Sequence, residues 1–223
     1  MNFKAYPDTD MLVLDLSDVL AASLNSALNG KERVTFAVPG GTTPGPVFDA
    51  LSQVHLPWDR VDVVLTDERW VPESSDRSNT ALLRRTLLKD AAAAATLIPL
   101  VADTDAPEDS LDALTEGLKP HLPIDVLLIG MGADMHCASL FPGADRLADA
   151  LAHNAPPLMP MRAPGAPEPR ITLTAPVLRG AIDTHIVITG AEKKNAIHKA
   201  QKLQPIDAPV AAILDGAQVH YAD

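Results

Sequence analysis

The segment Asp125 to Gly143, DVLLIGMGADMHCASLFPG, constrains the fold of this chain more than any other. Ile124, Val126, Leu127, Leu128 and Ile129 form a near-continuous aliphatic run. A strand that is apolar on both faces must be covered on both faces, which is the condition of a parallel sheet flanked by helices. The run empties directly into a glycine-rich loop carrying Asp134 and His136. In open α/β sheets, ligands bind just beyond such carboxyl ends.

The same alternation of strand and helix patterns recurs along the chain. Leu12, Leu16, Val19, Leu20, Leu24, Ala27 and Leu28 follow three-and-four spacing, which predicts a helix over about 10–29 with Gly30 past its end. Val34 to Val38 reads as a strand, Pro39 to Gly45 as a loop, and Pro46 to Gln53 as a helix. Val61 to Thr66 is again strand-like, with a polar loop over 67–78 and a helix over 79–88 that Ser78 or Asn79 can cap. Pro107, Glu108 and Asp109 suit the opening turn of a further helix. Residues 155–169 contain six prolines and read as an extended loop. Arg170 to Thr174, His185 to Thr189 and Gln218 to Tyr221 are the remaining strands, with a helix over 191–201. This pattern predicts one doubly wound, mostly parallel α/β sheet with helices on both faces, and a single domain spanning 1–223.

Composition limits the function classes. The formal net charge of −11 argues against a nucleic-acid partner, because neutralising a phosphate backbone requires clustered Lys and Arg. An acidic protein can still bind one small phosphate with a few local donors. Cys137 is the only cysteine, which excludes an intramolecular disulfide and every cysteine-based zinc pattern. No secretory pattern opens the chain, and no apolar run approaches the roughly 18–20 residues needed to cross a bilayer. A cytoplasmic location without membrane attachment is the expectation.

Three loops follow three strands and can converge on one cleft. In PGGTTPG, Gly40 and Gly41 permit close backbone approach and Thr42 and Thr43 can donate to phosphate oxygens, although a tight glycine turn would have the same composition. The Lys and Ser or Thr of a Walker A loop are absent. In DERWVPESSDRSN, Arg69 offers a planar donor fork, while Asp67 or Asp76 can accept sugar hydroxyl protons or orient a water. The bland alternative there is a solvated ion-pair cluster. In the third loop, Met135 stands where a dinucleotide fingerprint would need glycine. His136 is the natural general base, with Asp134 able to fix its tautomer. Cys137 suits packing better than nucleophilic attack, and no metal-ligand spacing is present. A fourth strand end, ITGAEKK, puts Lys193 and Lys194 at a helix N-terminus, which an anion would favour.

Taken together, VPGGTTP at 38–44, DERWVP and DRSN within 67–79, GMGADMHCASLFPG at 130–143, RITLT at 170–174 and TGAEK at 189–193 resemble the 6-phosphogluconolactonase family. That family shares its broad fold with glucosamine-6-phosphate deaminase. The resemblance implies hydrolysis of 6-phospho-D-glucono-1,5-lactone to 6-phosphogluconate in the oxidative pentose phosphate pathway, without metal or organic cofactor. It implies a phosphosugar lactone as the binding partner, and a monomer or small homo-oligomer. Carried over by motif, Gly40, Gly41, Thr42, Thr43, Arg69 and Lys193 would bind the phosphate. His136 would deprotonate water, with Asp134 beside it; Arg69 or nearby backbone amides would stabilise the oxyanion, and Asp67 would complete the catalytic group. The family's D-G-H-T reads Asp134, Met135, His136, Cys137 here. A non-glycine residue is strained at positive φ by roughly 1–2 kcal/mol, so Met135 is expected at negative φ. Two other readings remain: an aminosugar-phosphate isomerase or deaminase, and a non-catalytic sugar-phosphate sensor.

Overall fold

The computed structural model describes all 223 residues. In chain order the elements are β1 Asn2–Ala5, α1 Thr9–Gly30, β2 Val34–Val38, α2 Gly45–Ser52, β3 Val61–Leu65, β4 Asp67–Arg69, α3 Asn79–Thr86, β5 Thr96–Ile98 and α4 Leu111–Leu118. They continue with β6 Val126–Gly130, α5 Leu147–Leu151, β7 Leu158–Met161, β8 Arg170–Leu173, α6 Ala175–Arg179, β9 Asp183–Thr189, α7 Ala191–Ala200 and β10 Gln218–Ala222.

Seven strands form a wholly parallel sheet in the order β1-β10-β9-β6-β2-β3-β5. β2 and β3 are buried at every residue, which is why their sequences are mostly apolar rather than alternating, with Thr35 and Asp62 the polar exceptions. Right-handed crossovers put α1, α2 and α3 on one face, where α1 packs on α2 and α2 on α3. The return from β5 to β6 crosses to the other face, so the chain reverses direction between the neighbouring strands β2 and β6. Such a switch point opens a crevice at the carboxyl ends of the two strands.

α1 opens on Asp8, whose side chain accepts from the Met11 amide at 2.8 Å. Its Leu12, Leu16, Leu20, Leu24 and Leu28 form a buried stripe, each worth roughly 1.5–3 kcal/mol on burial. At 22 residues this helix does reach the length and apolar content of a membrane span, contrary to the sequence expectation, yet that stripe faces the interior of the protein. Gly30 is its last residue rather than the one beyond.

The expectation of one sheet is corrected. β4, β8 and β7 make a second, antiparallel sheet in the order β4-β8-β7. Asp67, Glu68 and Arg69, expected in a loop, are the strand β4. The proline-rich stretch also contains a strand, β7, with Pro160 opposite Ile171. β7 lies at the edge of its sheet, where a proline's missing N–H costs no ladder bond.

Candidate active site

Loops from four adjacent strands, β9, β6, β2 and β3, gather at the carboxyl edge of the large sheet. They enclose a cavity of about 270 Å³ lined by the Pro39–Pro44 loop, Asp67, Arg69, Asn79, Gly132, His136, Arg170 and Lys193. A larger cleft of about 740 Å³ lies nearby, but its ionisable lining is Glu68, Glu73, Asp103 and Asp105 against Arg84 alone. That cleft repels anions; the smaller cavity sets Arg69, Arg170 and Lys193 against one carboxylate, Asp67.

The geometry of the Gly132–His136 loop follows from its backbone. Met135 N–H donates to Gly132 O at 2.9 Å and Gly132 N–H to His136 O at 3.0 Å, the pattern of a three-residue hairpin loop whose last residue turns left-handed. Met135 is that residue, with φ +68°, so the expectation of negative φ is wrong. The two turn bonds, and a third from the Val210 amide to Met135 O at 3.1 Å, overdetermine the conformation. Gly132 is required for a different reason: a Cβ there would lie 2.3 Å from the His136 ring and 2.5 Å from Asp134 Oδ1.

Asp134 Oδ1 stands 2.5 Å from His136 Nδ1 and accepts from the His136 amide at 3.2 Å. The hydrogen bond from His136 holds the Asp134 carboxyl below the usual carboxylate range, so it accepts rather than donates. Neutral His136 therefore carries its proton on Nδ1 and presents a lone pair on Nε2. Cys137 is fully buried and burial pushes its thiol up to about 12, which removes it as a nucleophile.

Glu68 is no solvated ion-pair member. It is buried and accepts from the Asn79 and Thr80 amides at 2.8 and 2.7 Å and from the Ser78 hydroxyl at 3.2 Å, capping α3 while Ser78 bonds the Ala81 amide. By contrast, α2 and α7 begin without any side-chain cap, α2 at the cavity-lining Pro44 and α7 two residues before Lys193. Uncapped first-turn amides suit an anion. Gly40 is pressed against α3: a Cβ there would fall 2.0 Å from Asn79 Oδ1, while Asn79 Nδ2 bonds Asp67 O at 2.9 Å.

The cavity thus gathers Gly40, Gly41, Thr42, Thr43, Asp67, Arg69, His136 and Lys193. Asp134 is exposed beside it, and Asp76 lies outside it and exposed. The two lysines separate: Lys193 lines the cavity, whereas Lys194 Nζ sits 4.8 Å over the Tyr221 ring. Sequence reasoning missed Arg170. It is 8% exposed, pairs directly opposite Arg69 in the β4–β8 ladder, and approaches Asp67 Oδ2 at 3.6 Å. Burial works against its charge, with Asp67 opposing that effect. The Nε atoms of Arg69 and Arg170 are both buried without a partner. The available signal was a charged arginine opening an otherwise uncharged, β-branched-rich strand, RITL.

Comparison with known proteins agrees with this architecture. The family described as glucosamine-6-phosphate isomerases/6-phosphogluconolactonase matches residues 7–221. A 6-phosphogluconolactonase of Mesorhizobium japonicum is 40% identical over 220 residues, covering 97% of this chain and 91% of its own. The crystal structure of a 6-phosphogluconolactonase from Shewanella baltica superposes with a TM-score of 0.96 at 28% identity, covering 100% of this chain and 98% of that one. A monomeric glucosamine-6-phosphate deaminase shares the fold alone, at TM-score 0.81 and 14% identity over 100% of this chain and 97% of its own. The chain belongs to the 6-phosphogluconolactonase family, within the wider family of glucosamine-6-phosphate isomerases and 6-phosphogluconolactonases.

Proposed function

We propose that this cavity hydrolyses 6-phospho-D-glucono-1,5-lactone to 6-phosphogluconate, the second step of the oxidative pentose phosphate pathway, with His136 as the general base. The hydrolase activity rests on the full-length relatives. The observation that carries the chemistry is a pair of facing arginines with unpartnered buried Nε atoms in the same cavity as an Asp-oriented imidazole.

In this reading His136 Nε2 removes a proton as water attacks the lactone carbonyl. The oxyanion collapses, the bond from the carbonyl carbon to the ring oxygen breaks, and imidazolium returns its proton to that oxygen. Asp134 keeps the proton on Nδ1 before attack and stabilises the imidazolium after it. Two anionic groups must be met, the phosphate and the developing oxyanion. Arg69, Arg170 and Lys193 supply charge, and Gly40, Gly41, Thr42 and Thr43 supply amide and hydroxyl donors. Asp67 orients Arg170 and can accept from a sugar hydroxyl.

The test is an assay of two substrates side by side. Loss of the lactone faster than its spontaneous hydrolysis, with no ammonia from glucosamine 6-phosphate, supports the lactonase reading. Ammonia release without lactone acceleration would transfer the chain to the deaminase chemistry.

A further inference from the structure

Phe141 follows the catalytic loop and has no part in the mechanism above. Its ring stacks on His136, with centroids 4.1 Å apart and planes at 29°. The Arg170 guanidinium carbon lies over the same ring, 5.2 Å from its centroid. Ala138 is left-handed at φ +48° and Cys137 pairs with Leu140 in an isolated antiparallel bridge, so the chain turns back just before Phe141. Ser139, fully buried, donates to Asp67 Oδ2 at 2.6 Å and accepts from Arg170 Nη1 at 3.4 Å. One short segment therefore touches His136, the buried Arg170 and Asp67.

We infer that Phe141 is a positioning residue for His136: its ring fixes the plane of the imidazole and favours the imidazolium formed when water is deprotonated. The inference rests on the general-base reading. A neutral imidazole gains ordinary stacking from the ring, whereas a protonated one is drawn to the negative π face. An aliphatic side chain would fill the space and give only packing. Only 4% of this chain is aromatic, so an aromatic ring shared by two polar cavity groups is not the default filler. Arg170 contacts both Ser139 and the Phe141 ring, while the closer ring contact is with His136. The charged groups facing His136 are Asp134 on its own loop and Asp67, Arg69, Arg170 and Lys193 across the cavity.

The test compares Phe141→Leu, Phe141→Met and Phe141→Tyr with the wild type, following lactone hydrolysis above background across pH. Loss of the ring should lower kcat about tenfold, keep KM within about threefold, and move the acid limb of kcat/KM to lower pH. Phe141→Tyr, which keeps the aromatic face, should restore the rate and the limb. Phe141 is half-buried rather than core, and the flexible Met variant covers the case in which Leu does not fold. An unmoved acid limb with kcat within about twofold in a folded Leu or Met variant would overturn the inference. His136→Ala, assayed in parallel, separates the two levels: a wild-type rate there removes the general-base reading itself.

Discussion

Arg69 and Arg170 face each other directly across the antiparallel pairing of β4 with β8, and neither Nε finds a protein partner. Like charges directly opposite in a ladder destabilise it by roughly 0.2–1 kcal/mol, and each unsatisfied buried donor adds about 1–3 kcal/mol. In the proposed function, a bound anionic substrate removes both costs.

Inorganic phosphate should therefore stabilise the protein. At about 100 times its dissociation constant the gain is roughly 2.7 kcal/mol, readable as a rise in Tm. In Arg170→Gln the phosphate-dependent rise should largely vanish, while Tm without phosphate stays level or increases because the repulsion is relieved. A variant that keeps the full phosphate response would remove Arg170 from the anion site.

Met135→Gly should be nearly neutral. Relief of left-handed strain contributes about 1–2 kcal/mol, offset by the greater unfolded-state entropy of glycine and the lost half-buried side chain. Urea midpoints should agree within the equivalent of about 1 kcal/mol, and kcat should change little. Gly132→Ala, three residues earlier in the same turn, should lower kcat by more than about tenfold, because its methyl group would occupy the space of the His136 ring.

Glu68→Ala should destabilise by about 2–4 kcal/mol, since it orphans the Asn79 and Thr80 amides at the start of α3. Denaturant unfolding measures this. Glu68→Gln keeps one acceptor oxygen and should lose less; equal stability of wild type and the Ala variant would show that water caps the helix instead.

Acid should weaken the fold before its carboxylates titrate. His185 and His220 are buried side by side, Nδ1 to Nε2 at 3.2 Å, and Tyr6 closes the chain to His220 at 2.8 Å while donating to Asp15 at 2.6 Å. Burial lowers both histidines, His220 to about 4; for His185 the nearby Asp183 pulls upward but does not prevail. The unfolded chain takes up these protons near pH 6.5 and the folded chain does not, so stability is full above that value and falls as pH drops towards 4. His220 alone accounts for a loss on the order of 3 kcal/mol across that window. By pH 5 about 2 kcal/mol of this is lost, so urea midpoints at pH 7 and pH 5 should differ, and identical midpoints would contradict buried neutral histidines.

The large sheet was legible in the sequence because its central strands are apolar on both faces, a pattern set by burial alone. β4 was not, because Asp67, Glu68 and Arg69 have no strand-like pattern; they pair because β8, a hundred residues later, presents an antiparallel partner. Arg170 was invisible as a site residue for the same reason, since its meaning comes from standing opposite Arg69. Pro160 concealed β7 because an edge strand tolerates what a central one cannot. Met135 shows the limit of residue preference: its turn bonds and the Val210 amide decide its φ against its own steric cost. Gly41, Thr42, Thr43, His136 and Lys193 could be expected to share one cavity because each lies within a few residues of a strand end, where parallel topology brings loops together.

The most direct test of the central claim is the initial rate of lactone hydrolysis above the spontaneous background for wild type and His136→Ala. Loss of the base should lower the catalysed rate by about 10²–10⁴-fold while phosphate still raises Tm. Equal catalysed rates would contradict the assignment of His136 as the group that activates water.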